Sequence, residues 1–369
     1  MDRRFFLGTL AGSLLAAPLA AEAQQAGKVY RIGFLGQTSA PDLARQTAAL
    51  RQGLRDRGYE EGRNLVIEYR WAERTLDRLP VLATELVGLG VDIIVTHGSA
   101  GARAAQQTTR TIPIVIAVVG DPVASGVVAS LSQPGGNVTG LVLEEFESTV
   151  KWLDLVKQIA PRASRVGWLE VLGIEQPEVA EVWRQKEDGA ARSRGLETHR
   201  VIVRGPNDLT QAFDDLGRRG VHAVVVPNTS LLNPLGGQIA SLAAKHQLPT
   251  IGSPVFARAG GLLAYGPDGT DMYRRAAGYV DTILKGTAPG DLPMEGPTKF
   301  EMIVNLKAAR ALGLTIPRSL LQRAGPTSPP GIRRQLPRRR SGRSIRRSPR
   351  RTLTEPTMSI FMTVSTAAA

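Results

Sequence analysis

Short apolar runs alternate with amphipathic stretches from Lys28 onward, the pattern of a parallel sheet covered by helices. VYRIGFLG (29–36) predicts a first strand and LARQTAALRQGLRDRG (43–58) a helix. Leu43, Thr47, Leu50 and Leu54 recur there at three- or four-residue spacing, and Gly58 supplies the stop. NLVIEYRW (64–71), VDIIVTHG (91–98), IPIVIAVVG (112–120) and NVTGLVL (137–143) predict further strands, with helices over 76–90 and 100–110. Runs such as Ile93-Ile94-Val95 show no polar alternation, so these strands are expected to be buried on both faces.

The pattern then starts afresh. A helix over 148–160 leads to RVGWLEVLG (165–173), similar to the first strand in placement and composition, and a long helix over about 178–194 follows. THRVIV (198–203), DLTQAFDDLGRRG (208–220), VHAVVVPN (221–228), GGQIASLAAKHQ (236–247) and LPTIGS (248–253) complete a second series. The fold class is α/β, two Rossmann-like domains with parallel sheets. GLLAYG (261–266) and DMYRRAAGYVDTILKG (271–286) are expected as a strand and helix returning to the first domain. FEMIVN (300–305) and LKAARALG (306–313) then close the fold. On this division the first domain takes 24–143 plus about 264–290, and the second 144–263 plus about 291–323. A chain that crosses more than once makes a hinge with a cleft between the domains.

Both ends differ from this body. Residues 1–23 carry Arg3 and Arg4, an apolar run from Phe5 to Ala21, and the small-x-small site Ala21-Glu22-Ala23. Interrupted by Gly8, Gly12 and Pro18, the run sits at the lower limit for a bilayer span. A signal peptide cleaved after Ala23 is expected, and with it a periplasmic protein. Arg3-Arg4 before Phe5-Phe6-Leu7 is similar to a twin-arginine export signal, while ordinary Sec signals also carry such pairs.

The net charge of +13 suggests a nucleic-acid partner until it is located. After Ala324 ten arginines face one acid, Glu355, whereas residues 24–323 carry only +4. The body is nearly balanced, so no nucleic-acid partner is expected. Residues 324–351 have no hydrophobic period, and 324–369 read as a disordered basic tail. Their Arg, Pro, Ser and Gly enrichment is also what a shifted reading frame in GC-rich DNA produces. The chain has no cysteine, which excludes a disulfide framework, a thiolate metal site and a cysteine nucleophile.

In parallel α/β domains ligands sit beyond the carboxyl ends of the strands, so the loops there are the candidates. Gln37 and Thr38 follow the first strand, and the alternative for this loop is a helix-capping turn. Thr96, Gly98 and Ser99 surround a helix start whose backbone N–H groups suit a carboxylate. Asp121, with Pro122 behind it, receives a ligand ammonium or acts as an N-cap. In the second domain Asn228 and Thr229 offer amide and hydroxyl groups, and Ser253 and Phe256 a cap and an aromatic wall. Tyr265 stacks on the ligand or packs in the hinge. No enzyme signature stands out. His97, His199, His222 and His246 show no metal-binding spacing, and no GxSxG elbow or Walker loop occurs.

The body also resembles the ABC transporter substrate-binding protein family, in the TrpX-like cluster of tryptophan- and tyrosine-binding proteins. The matching segments include LRDRGYEEGRNLVIEYRWAE (54–73), TIPIVIAVVGDPVASGVVASLSQPGGNVTGL (111–141) and LPTIGSPVFARAGGLLAYGPD (248–268). The match continues over 273–321 and spans about 28–323; the tail departs from the family pattern, and 170–186 is less typical of it. The resemblance implies the type I periplasmic-binding-protein fold, a monomer, and a small-molecule ligand such as an amino acid. It also implies a membrane permease with its ATPase as partner, with no cofactor. An amino-acid ligand would place its carboxylate at the Thr96–Ser99 loop and its ammonium at Asp121. A sensory protein docking a membrane receptor, or an enzyme using the same cleft, are the alternatives.

Overall fold

The apolar runs become two sheets in a computed structural model that describes residues 28–143, 145–172 and 177–324. The expected leader, the tail beyond Ala324 and part of the 170–186 segment lie outside the described residues.

The first sheet contains β1 (Tyr30–Gly36), β2 (Leu65–Trp71), β3 (Ile93–Thr96), β4 (Ile114–Val119) and β5 (Val138–Val142). Its order is β2-β1-β3-β4-β5, and every pairing is parallel. β3 is buried throughout and β4 nearly so, as their unbroken β-branched runs require, while edge strand β2 is mostly half-buried. Helices α1 (Ala44–Arg55), α2 (Leu79–Gly88) and α3 (Gly98–Thr108) follow β1, β2 and β3. Gly58, at φ +88°, ends the turn after α1, where Tyr59 N–H reaches back to Leu54 carbonyl at 3.0 Å.

The second sheet runs β11-β10-β9-β8-β6-β7. Its strands are β6 (Arg165–Glu170), β7 (Glu197–Ile202), β8 (Val224–Val226), β9 (Thr250–Gly252), β10 (Leu263–Pro267) and β11 (Phe300–Val304), of which β11 alone among the described strands is antiparallel. Helices α4 (Glu145–Ile159), α5 (Pro177–Arg192), α6 (Leu209–Arg218), α7 (Gly236–Lys245) and the short α8 (Pro254–Arg258) cover it. Separate apolar cores lie on its two faces, one around Trp152 and Trp168 and the other around Phe213 and Phe256.

One expectation fails here. The sequence pattern predicts the strand near 261–266 in the first domain together with the helix after it. It is β10, paired with β9 and β11 in the second sheet, and the chain crosses only after Pro267. A run such as Leu263-Ala264 is apolar enough for either sheet, and its neighbours decide. Helix α9 (Gly269–Leu284) does return to the first lobe. It buries Met272, Tyr273, Ala276, Ala277, Val280 and Ile283 against the core that also holds Phe34, Leu50 and Leu54. Each fully buried large apolar side chain contributes about 1.5–3 kcal/mol there. The following segment stays as well, against the expected boundary near 290. Thr139 Oγ1 donates to Leu292 carbonyl at 2.7 Å, and Val142 N–H to Glu295 carbonyl at 3.0 Å. β11, α10 (Leu306–Ala311) and α11 (Arg318–Arg323) then complete the second lobe, where Ile316 and Leu320 join its core.

The chain therefore crosses between lobes after β5, after β10 and before β11. All three crossings lie at the carboxyl ends of the parallel strands, so the loops at those ends of both sheets flank the hinge.

Candidate functional site

The first lobe supplies two loops that are bonded to each other. β1 ends at Gly36, where the ring of Trp71, its register partner on β2, occupies the space of a Cβ. The next residue, Gln37, is buried and turned inward. Its N–H donates to His97 Nε2 at 3.1 Å, its side-chain amide donates to His97 carbonyl, and its own carbonyl accepts from Arg74 N–H at 2.9 Å. Gly98 makes this fit possible: its φ is +67°, and a Cβ there would strike the Gln37 amide. Gln37 is thus a strut between loops, one N–H of its amide bonded to the His97 carbonyl.

Thr38 behaves differently. It is only 5% exposed, yet its Oγ1 has no hydrogen-bond partner among the described residues. A buried hydroxyl left unpaired costs about 1–3 kcal/mol. Ser39 caps no helix: its N–H and hydroxyl both donate to Asp42, which also pairs with Arg74. Burial pushes the Asp42 carboxyl up, but the Ser39 bonds and Arg74 outweigh it and hold the group below its ordinary value.

Thr96 is structural, its hydroxyl donating to Leu35 carbonyl at 2.9 Å across the strands. Helix α3 begins after His97, an N-cap residue that makes no side-chain cap. Ser99 is buried in the first turn. The His97 ring lies near Phe34 and Tyr273, with centroids at 6.5 and 6.4 Å. Burial pushes its pKa down to about 4, so the imidazole is neutral. Because Nε2 accepts from Gln37, the proton is assigned to Nδ1. Burial likewise pushes the Tyr273 phenol above its ordinary range. The aromatic surroundings of this loop escape sequence reasoning, since Tyr273 arrives on α9 from far along the chain.

Asp121 takes the capping geometry. Its Oδ1 accepts from Ala124 N–H at 2.9 Å, and Pro122 is buried beneath the turn. In the second lobe Asn228 Oδ1 accepts from Asn233 Nδ2 at 3.0 Å and Thr229 Oγ1 from Leu232 N–H at 3.1 Å, which closes a local turn. Ser253 caps α8 through Phe256 N–H at 3.4 Å. Phe256 is a correction: only 1% exposed, it fills core space left by Gly252 and Gly261 and forms no wall. Tyr265 stacks on Phe300 (5.5 Å, 11°), and its carbonyl accepts from Trp152 Nε1 at 2.6 Å, so it packs beside the crossings.

The loops after β1 and β3 therefore form one bonded unit, whereas Asp121, Asn228, Thr229 and Ser253 sit in locally closed turns. A cavity of about 330 Å³ elsewhere, lined by Arg51, Glu61 and Tyr69 on the outer side of β2, lies at the edge strand away from these loops. No helix among the described residues is long and apolar enough to cross a membrane.

Comparison with known proteins fits this architecture. Residues 31–328 match the family model described as ABC transporter substrate binding protein. A tyrosine-binding protein of Clostridioides difficile (strain R20291) is 27% identical over 292 residues, covering 78% of this chain and 82% of the relative. A conserved domain protein from Vibrio cholerae O1 biovar El Tor superposes with a TM-score of 0.75 at 27% identity, over 80% of this chain and 99% of the other. An ABC domain from Streptococcus pneumoniae in complex with L-Trp gives 0.74 at 24% identity, over 81% and 99%.

Proposed function

The chain belongs to the ABC transporter substrate binding protein family, and on that premise we propose that it binds an amino acid, or a related small carboxylate, between its lobes. The observation that carries this reading is the buried, unpartnered hydroxyl of Thr38, in the loop bonded to His97 at the start of α3. Backbone N–H groups at a helix start, with the positive end of the helix dipole behind them, favour a carboxylate. The tyrosine-binding relative, 27% identical, supports the amino-acid class.

In this reading Thr38, Gly98 and Ser99 hold the carboxylate. Asp121, one oxygen of which caps its own turn, offers the other to the ammonium. Asn228, Thr229 and Ser253 meet the ligand from the second lobe. The ligand stabilises the closed arrangement by touching both faces, and a permease with its ATPase recognises that form. The protein acts as a monomer in the periplasm after export by the Sec or twin-arginine route, and the solute leaves chemically unchanged.

A thermal-shift screen of the full chain against amino acids, short peptides, sugars, nucleosides and organic acids tests this. An amino acid at a hundredfold its Kd should stabilise the folded state by about 2.7 kcal/mol and be recovered intact. A shift confined to sugars or nucleosides, or turnover of the binder, would overturn the reading.

A further inference from the structure

We propose that His97 is a positioning residue of the solute site: its ring and carbonyl tie the loop after β1 to the loop after β3, and so set the position of Thr38 relative to the first turn of α3. The inference rests on the functional reading above.

The tie is reciprocal. Gln37 donates its N–H to His97 Nε2 and its side-chain amide to His97 carbonyl, joining residues 60 positions apart. Helix starts favour Ser, Thr, Asp or Asn at the position His97 occupies, because those side chains satisfy the first-turn N–H groups. Here the side chain turns back to Gln37 instead and caps nothing. A local rule broken in this way marks positions where function constrains the residue. The left-handed Gly98 admits the Gln37 amide, and Phe34 and Tyr273 hold the ring. Tyr273 is the titratable group whose ring packs on His97, and burial alone accounts for the neutral state of the imidazole. A neutral ring is required, because a protonated Nε2 could not accept from Gln37 N–H.

The test compares wild type with His97→Gln, whose side-chain oxygen can accept from Gln37 N–H, and His97→Leu, which cannot. The full chain is titrated with L-tyrosine and L-tryptophan, amide exchange is followed over 36–39, and ¹⁵N shifts report the His97 ring. The expected ring is unprotonated at Nε2. His97→Leu should lose Gln37 amide protection and bind about tenfold more weakly, and His97→Gln should recover to within about threefold of wild type. A protonated Nε2, an unchanged Gln37 amide in His97→Leu, or equal weakening in both variants would overturn the proposal. Should wild type take up neither amino acid, the solute assignment fails, while the ring and exchange results still decide whether the tie exists.

Discussion

Asp268 and Lys299 face each other where two of the crossings run side by side, with Asp268 N–H donating to Lys299 carbonyl at 2.9 Å. The pair continues the β10–β11 ladder one step past Pro267–Phe300. Its side chains bind the next element: Asp268 caps α9 through the N–H groups of Thr270 (2.9 Å) and Asp271 (3.2 Å), and Lys299 pairs with Asp271. The ribbon between lobes is thereby anchored to the start of a first-lobe helix. Asp268→Ala should cost about 1 kcal/mol through loss of the cap and lower Tm by about 2 °C, measured by calorimetry.

The seat of α9 on α1 is tight at one point. A Cβ at Gly53 would lie 2.5 Å from Arg274 carbonyl and 2.8 Å from Ala277 Cβ. Gly→Ala inside a helix ordinarily gains about 1 kcal/mol. Here the crowding reverses the sign, and Gly53→Ala should destabilise by about 2 kcal/mol in urea unfolding. Gly88→Ala, with nothing within 4 Å of its added Cβ, should be neutral or stabilising.

Burial of His97 links stability to acid. Its pKa falls from 6.5 to about 4 on folding, so the unfolded chain binds the proton more readily between those values. Stability should therefore drop as pH falls from about 6.5 towards 4, by a term on the order of 3 kcal/mol. His97→Gln should flatten that part of the Tm–pH curve, measured by thermal unfolding across the range.

Glu187 works in the opposite direction. Burial raises its pKa to about 7 against the opposing pull of Arg200, whose Nη2 lies 2.9 Å away, while Asp188 and Glu170 push the same way as burial. The folded state then holds the proton more tightly than the unfolded one, and stability falls as pH rises from about 4.5 to 7. Glu187→Gln should remove this decline, seen as a flatter Tm between pH 5 and 8.

Much of the fold was legible because its signals are local. The β-branched runs at Ile93–Val95 and Ile114–Val119 mark buried strands wherever they pair, and Gly58 ends the turn after α1 by its own conformational freedom. Sheet membership is not local: the apolar pattern of Leu263–Pro267 suits either lobe, and only its pairing with β9 and β11 places it in the second. The site divides in the same way. Capping by Asp121 and Ser253 follows from the residues beside them, as Pro254 at the first position of α8 already hints. Phe256 two residues later faces the core because Gly252 and Gly261 leave room for its ring, which no pattern in the loop announces. The bonding of Gln37 to His97 spans two strands and was equally invisible.

The most direct measurement is isothermal titration of the full chain with the best-binding amino acid beside its decarboxylated amine. With the carboxylate held at Thr38 and the start of α3, the amino acid should bind and the amine should give no measurable heat of binding. Equal affinity for the two would contradict that placement, and an absence of binding by every amino acid would contradict the solute class itself.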